Sequence, residues 1–121
     1  MDALSPAIRA IAKLNELTQQ GRLKWEVVSP PDTRGSSDVV EIAFGTEHEG
    51  KRLRIFSRRS KVEVDEKRFE WLKSPVLEVV DSDGKPLYEF PGLSWIDHLL
   101  ESVGYQVAGV GRWMEKLASG G

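Results

Sequence analysis

The chain has 121 residues, 40% of them hydrophobic, which is enough for a single domain with a modest core. Its 30% of charged residues nearly cancel to a net charge of −2, so composition gives no general attraction to nucleic acid or to an anionic membrane. There is no cysteine, which excludes disulfides, thiol catalysis and thiolate metal sites. No apolar run reaches the roughly 18 residues of a membrane span, and the first residues lack a signal-peptide pattern. We therefore expect one cytoplasmic domain, residues 1–121.

A helix followed directly by a strand is predicted at the start of the chain. Ser5 suits an N-cap, the next residue is a proline at the first helical position, and apolar residues then recur at helical spacing. Gly21 fits a left-handed residue after the helix. From there the period falls to two, which predicts a strand with Leu23, Trp25 and Val27 on its inward face. We expect Trp25 to be buried between this helix and the sheet.

Hairpins are predicted through the middle of the chain. Strands are expected at residues 23–27, 39–44, 51–56, 75–81 and 87–90. The segment 45–50 reads as a turn, and the Asp83-Gly84 dipeptide is the strongest short hairpin signal in the sequence. Residues 65–74 are ambiguous, because they suit either a polar turn or one helical turn with its aromatic side chains tucked in.

The apolar residues in and after the third strand change from odd-numbered to even-numbered positions. Leu53 and Ile55 are odd positions, whereas the next apolar pair, Val62 and Val64, is even. A straight strand cannot bury both pairs on one face. We therefore expect a β-bulge or a tight bend at residues 57–60.

A second helical pattern begins at Ser94, which we take as an N-cap, with Asp97 three residues later as in a capping box. Glycines at 109 and 111 favour a kink or a split into two helices. The order is thus an N-terminal helix, about five hairpin-connected strands and a C-terminal helix. This order predicts an α+β fold with an antiparallel sheet.

The most distinctive surface is a basic segment, residues 51–61, which holds six Lys and Arg and no acidic residue. Alternation places its arginines on the strand face opposite the core or in the expected bulge, and arginine forks suit carboxylates. We predict a partner-binding site made of Arg52, Arg54, Phe56, Arg58 and Arg59. The alternative is a solvated strand face neutralised by nearby glutamates. Nucleic acid is not expected, because Phe56 is the only aromatic on this face available for stacking.

Nothing in the sequence predicts an enzyme, a cofactor or a metal site. His48 and His98 show no ligand spacing, and a metal site usually needs three or four ligands. The glycines of residues 104–111 follow a helix and lack the lysine and hydroxyl residue of a phosphate loop. No serine has a recognisable base and orienting carboxylate.

The C-terminal Gly120-Gly121 pair leaves a further alternative open. Ubiquitin-like modifiers present a free Gly-Gly end, but they end on a strand, whereas this chain is predicted to end on a helix. Four tryptophans are many for this length, and one or two of them suit a partner surface.

The segment LNELTQQGRLKW, residues 14–25, resembles the opening of small uncharacterised bacterial proteins that begin with a helix carrying L-T-x-x-G-x-L-x-W. The turn at 81–84 and the run at 99–103 are similar to their D-x-D-G turn and closing L-L-E-S-V helix. The resemblance implies the same helix–sheet–helix fold and no activity. The architecture is also similar to that of type III secretion chaperones.

We therefore expect a small, non-enzymatic, cytoplasmic protein that acts by binding another protein, with no nucleic acid and no membrane as partners. A homodimer is left open. The alternatives are a modifier that uses its C-terminal Gly-Gly and a chaperone-like adaptor.

Overall fold

Helices on one face of a five-stranded antiparallel sheet form the fold in the computed structural model, which describes residues 5–120. The elements are α1 (Pro6–Gln19), β1 (Glu26–Val28), β2 (Ala43–His48), β3 (Lys51–Asp65), β4 (Arg68–Val80), β5 (Pro86–Glu89), α2 (Leu93–Ala108) and α3 (Val110–Ala118). Each strand pairs with the next in the chain, in the order β1-β2-β3-β4-β5. The predicted α+β class and five-stranded antiparallel sheet are confirmed. Gly121, the end of the Gly-Gly pair, lies outside the described residues.

Helix α1 begins and ends where its cap residues predict. The backbone N–H of Ile8 donates to Ser5 Oγ at 3.2 Å, which satisfies one of the free donors of the first turn. Gly21 has φ +71°, the left-handed conformation expected just after a helix. The chain then turns back, and the N–H of Leu23 donates to the carbonyl of Leu17.

The main core lies between α1, α2 and the sheet. Its buried side chains are Ile11, Leu14, Leu17, Leu23, Trp25, Phe44, Leu53, Ile55, Leu77, Ile96, Leu99 and Val103. Trp25 is 6% exposed, and its Nε1 donates to Thr18 Oγ1 at 3.0 Å. The predicted burial of Trp25 between the first helix and the sheet is therefore confirmed.

The side chain of Gln106 on α2 forms hydrogen bonds with the backbone between α1 and β1. Gln106 Oε1 accepts from the N–H of Trp25 at 2.8 Å. Its Nε2 donates to the carbonyls of Leu23 at 2.8 Å and Thr18 at 3.1 Å. Backbone groups left over where a helix becomes a strand are satisfied in this way.

The first hairpin of the sheet is tighter than predicted. β2 runs through the expected 45–50 turn, and the chain reverses at Glu49 and Gly50, which have φ +49° and +81°. Two left-handed residues are what a two-residue hairpin turn requires. Of the predicted 39–44 strand, Val39 forms only an isolated bridge with Arg59.

The bulge expected at residues 57–60 is absent, and that prediction is wrong. β3 pairs with β4 from Arg52 to Glu63 in one register, and the first irregularity follows Glu63. The parity change has another cause: Val62 and Val64 lie on the face opposite Leu53, and both are exposed. Neither valine is a core residue, because this part of β3 extends beyond the core.

Two further expectations are corrected on the sheet. Residues 65–74 form the end of the β3–β4 hairpin, and Phe69 and Trp71 are exposed instead of tucked in. Val27 is also exposed: it lies on β1 at the edge of the sheet and is not part of the core under the helices.

The C-terminal helix is split, as predicted, by Gly109, which has φ +63° and ends α2. The N-cap of α2 is Gly92 and not Ser94, which lies inside the helix. Among residues 5–120, no helix has both the length and the apolar character needed to cross a membrane.

Replacing Trp25 by alanine should destabilise the protein by about 3–5 kcal/mol, because the change leaves a cavity and frees Thr18 Oγ1 from its bond. Urea denaturation of dilute protein measures this. Trp113→Ala is the matched control, since that ring is 60% exposed and its loss should cost within about 0.5 kcal/mol. Equal effects of the two changes would contradict the assignment of Trp25 to the core.

Candidate functional site

The predicted partner-binding strand runs through the middle of the sheet, and only part of it reaches solvent. Arg54 and Phe56 are buried, with 6% and 3% exposed. The prediction that they lie on an open face is therefore wrong. The face opposite the helices is covered by Val28 and Val40 from the chain before β2, and at its other end by the β4–β5 turn at Gly84.

Arg54 is held by an ion pair with Glu78, its partner in the β3–β4 register. Its Nε donates to Glu78 Oε2 at 2.8 Å, and its Nη2 donates to the same oxygen. A Cβ on Gly84 would lie 3.5 Å from Nη1 of Arg54, so the turn closes directly over the guanidinium. A charge in this position must be paired, since an isolated buried ion is strongly destabilising.

Phe56 belongs to a second, smaller core on this covered face. It packs with Ala43 and Val76, and Val28 and Val40 close the cluster from the side. Phe56 therefore supports the fold and is not an available contact residue.

A cleft of about 1070 Å³ lies beside this small core, between residues 28–32 and 82–86. Arg52 stands exposed at its rim and donates from Nη1 to the carbonyl of Ser82 at 3.2 Å. Arg54 lines its floor. Lysines, arginines and carboxylates all line the cleft, so it suits polar groups better than an apolar ligand.

The other two predicted arginines, Arg58 and Arg59, lie where β3 leaves the sheet. Arg59 Nη2 donates to Glu41 Oε1 at 2.7 Å. Arg58 lies between Asp38 and Glu89, with nitrogen–oxygen distances of 4.0 and 3.9 Å. Both arginines remain half-exposed, and their pairing with nearby acids agrees with the alternative of a neutralised strand face.

From these arginines outward the hairpin of β3 and β4 continues as a ribbon of two strands, residues 58–74, which we call the arm. Only its base has a third partner in the described part of the chain, through the bridge between Arg59 and Val39. On one of its faces Lys61 pairs with Trp71 in the register, and Glu63 pairs with Phe69 at the outer end. Lys61 Nζ lies 4.0 Å from the centre of the Phe69 ring. Exposed cation–π contacts of this kind contribute about 0.5–1 kcal/mol.

We call this side the cation–aromatic face; it consists of Arg59, Lys61, Glu63, Phe69, Trp71 and Lys73. The Arg59 guanidinium carbon lies 5.8 Å from the centre of the Trp71 ring. Both rings are about half exposed, at 54% for Phe69 and 53% for Trp71. The basic strand and the aromatic strand thus form one surface, which includes only one of the residues predicted for the site, Arg59.

The opposite face of the arm is also apolar, with Val62, Val64 and Leu72 exposed. An isolated two-stranded ribbon is marginally stable in water, and it has no second layer of its own. The arm therefore presents apolar surface on both sides that the described part of this chain does not cover.

The cation–aromatic face is not predicted from the sequence, because residues 65–74 are expected to form a polar turn or a helical turn instead of a strand. Two signals could have identified it. Phe69 and Trp71 are separated by one charged residue, which is strand alternation. The polar pair Glu66 and Lys67 stands between two alternating segments, as in a tight hairpin.

A second uncovered apolar surface lies on α3. Val110, Trp113, Met114 and Leu117 recur at helical spacing on one stripe, and none of the nine residues of α3 is buried. A stripe of this kind is stabilised when it packs on another element. Trp113 and Trp71 are exposed, and a partner surface for one or two tryptophans stays a prediction.

The two histidines lie on different elements. His48 ends β2 and His98 is exposed on α2. Within residues 5–120, no three histidine or carboxylate side chains are grouped so that they could hold a metal ion.

The turn that closes over Arg54 is stabilised by Asp81. Its Oδ1 accepts from the N–H of Lys85 and from that of Asp83, each at 2.9 Å. These bonds, that of Lys85 first, lower the pKa of the Asp81 carboxyl from its ordinary value, because they favour the charged form.

Comparison with known proteins assigns no family. The chain matches no protein-family model, and no curated protein or solved structure is significantly similar to it.

Removing one member of the buried ion pair should be strongly destabilising. Arg54→Met or Glu78→Leu should each cost about 3–5 kcal/mol, because each leaves an unpaired charge in the interior. The double variant should recover most of that loss, since two apolar side chains replace the pair. Urea denaturation measures all three.

The matched control for the buried pair is Glu41→Gln, which breaks the exposed pair with Arg59 and should cost at most about 1 kcal/mol. A double variant as unstable as the single variants would contradict the account of the buried pair.

The Asp81 carboxyl should titrate below its ordinary value of 3.8. A carboxyl with a lowered pKa in the folded state stabilises the fold above its unfolded pKa. That contribution is lost as the pH falls through the folded pKa. Carbon-13 NMR titration of the Asp81 carboxyl measures it, and a midpoint at or above 3.8 would show that the turn bonds do not hold the charged form.

Proposed function

We propose that this protein is a non-enzymatic, cytoplasmic protein-binding module whose docking surface is the arm. The observation that carries this proposal is the pair of half-exposed aromatic rings, Phe69 and Trp71, on a ribbon that projects from the sheet. Exposed aromatic residues that cluster with arginine are typical of residues that dominate protein interfaces.

Docking on a face of the arm is favoured over pairing along its edge. Charged residues punctuate both strands, including Lys61, Glu63, Glu70 and Lys73. Side chains of this kind discourage another strand from adding to an open edge. A partner that docks on the face contacts the rings of Phe69 and Trp71 directly, and Lys61, Glu63 and Lys73 form a charged rim beside them.

A protein partner is favoured over single-stranded nucleic acid. Residues 58–74 hold six basic and four acidic side chains, so the arm has little net attraction for a phosphate backbone. A mixed charged rim around exposed aromatic rings is the usual anatomy of a protein interface.

The five residues predicted for the site have different roles in this proposal. Arg59 belongs to the docking surface and contributes mainly to the rate and salt dependence of association. Arg54 and Phe56 hold the sheet from which the arm projects. Arg52 and Arg58 lie outside the cation–aromatic face.

Site-specific photo-crosslinking in cells tests the proposal. A photoreactive phenylalanine analogue in place of Trp71 should form abundant adducts with protein, because this ring is expected to be covered in the bound state. The control position is Arg34, whose side chain is 91% exposed on the loop before β2.

The proposal predicts protein adducts from position 71 and few from position 34. Adducts with nucleic acid alone, or equal low yields from both positions, would contradict a protein-binding role for the arm.

A further inference from the structure

We propose that the partner of the arm is a second copy of this chain, whose helices the arm covers in a two-fold dimer. The inference rests on the proposed function and names the partner for the same surface. The cation–aromatic face continues the sheet face that already carries helices, since Ile55, Arg59 and Lys61 share it by strand alternation. On the arm this face lacks a helix of its own.

The helices of one copy match the arm of another in length. The arm strand of eight residues at 58–65 spans about 26 Å at about 3.3 Å per residue. Helix α2 has 16 residues and spans about 24 Å. One arm can therefore lie along one α2.

Helix α2 crosses its own sheet from one edge to the other. Phe90, three residues before α2, bonds to the backbone of Leu77 on the β5 side, and Gln106 near the end of α2 bonds to Trp25, directly before β1. An arm that lies along the other copy's α2 therefore crosses the strands of that copy, and the charges place the base of each arm over the start of α2. The two sheets then enclose both helix layers.

Charge complementarity supports this arrangement along the inner half of the arm. Asp97 and Glu101 are exposed one helical turn apart on α2. Across from them the arm offers Lys61 and Lys73. At the base of the arm, Arg58 and Arg59 form ion pairs with nearby carboxylates. Among the described residues, neither Lys61 nor Lys73 has a carboxylate partner.

Apolar surface is matched from the middle of the arm outward. Trp71, directly across from Lys61, and Phe69 at the outer end would face the end of α2 and the stripe on α3, where Tyr105, Trp113 and Leu117 are exposed. Both surfaces are uncovered within one described chain, and the two-fold arrangement covers each of them twice.

The area is sufficient for a specific dimer. A ribbon about 26 Å long and about 10 Å wide covers on the order of 260 Å². Symmetry repeats the contact and each contact buries two surfaces, so the dimer buries on the order of 1,000 Å², about the minimum for a specific interface.

Sedimentation equilibrium of the purified full chain, from about 1 to 200 µM, tests the proposal. The expected result is a reversible dimer of twice 13.6 kDa. Trp71→Ser should weaken it at least about 100-fold, because a central aromatic is lost at two symmetric contacts. A monomer throughout, or a dimer unaffected by Trp71→Ser, would overturn the proposal.

A charge exchange supplies the sharper test. Lys61→Glu and Glu101→Lys should each weaken the dimer, and the two together should restore it, since the pair is re-formed with reversed signs. Arg34→Glu, on the loop before β2, is the matched control and should leave the dimer unchanged. Failure of the double variant to recover would place these residues outside a shared contact and contradict the proposal.

The experiments distinguish failure of the dimer proposal from failure of the proposed protein-binding function. If the chain stays monomeric while position 71 crosslinks to another protein, the second-copy proposal is wrong and the protein-binding function stands. If the chain is monomeric and position 71 yields no protein adduct, both are wrong.

Discussion

The structure depends on the continuous backbone ladder between β3 and β4. Their pairing runs from Arg52 to Glu63 without a change of register. In the core this ladder places Ile55 and Leu77 under the helices, and beyond the core it keeps the same alternation. A slip of one residue would turn every side chain to the other face. The composition of the arm's two faces is therefore fixed by pairs that lie inside the sheet.

The ion pair of Arg54 and Glu78 gives this ladder its register. Apolar residues of similar size would make the covered face about as stable, so the pair is weakly explained by stability alone. Register explains it better, because a shift of either strand would leave a buried charge without its partner. We interpret the pair as the feature that aligns the two strands, and through them the aromatic rings on the arm.

Local signals were sufficient for the parts of the fold that are set by neighbouring residues. Ser5, Gly21 and Gly109 mark helix ends by cap chemistry and left-handed backbone, and the structure has each of them in that role. The burial of Arg54 and Phe56 could not be predicted in this way. Distant segments cover their face, and strand alternation alone cannot distinguish a covered second face from an open one.

The most direct test of the account is hydrogen exchange at the backbone amides of residues 58–74 as a function of protein concentration. If a second copy covers the arm, these amides should exchange rapidly in dilute protein, because a two-stranded ribbon without a second layer opens readily. At high concentration they should become protected, together with those of α3. Exchange in the arm that is the same at every concentration would contradict the account.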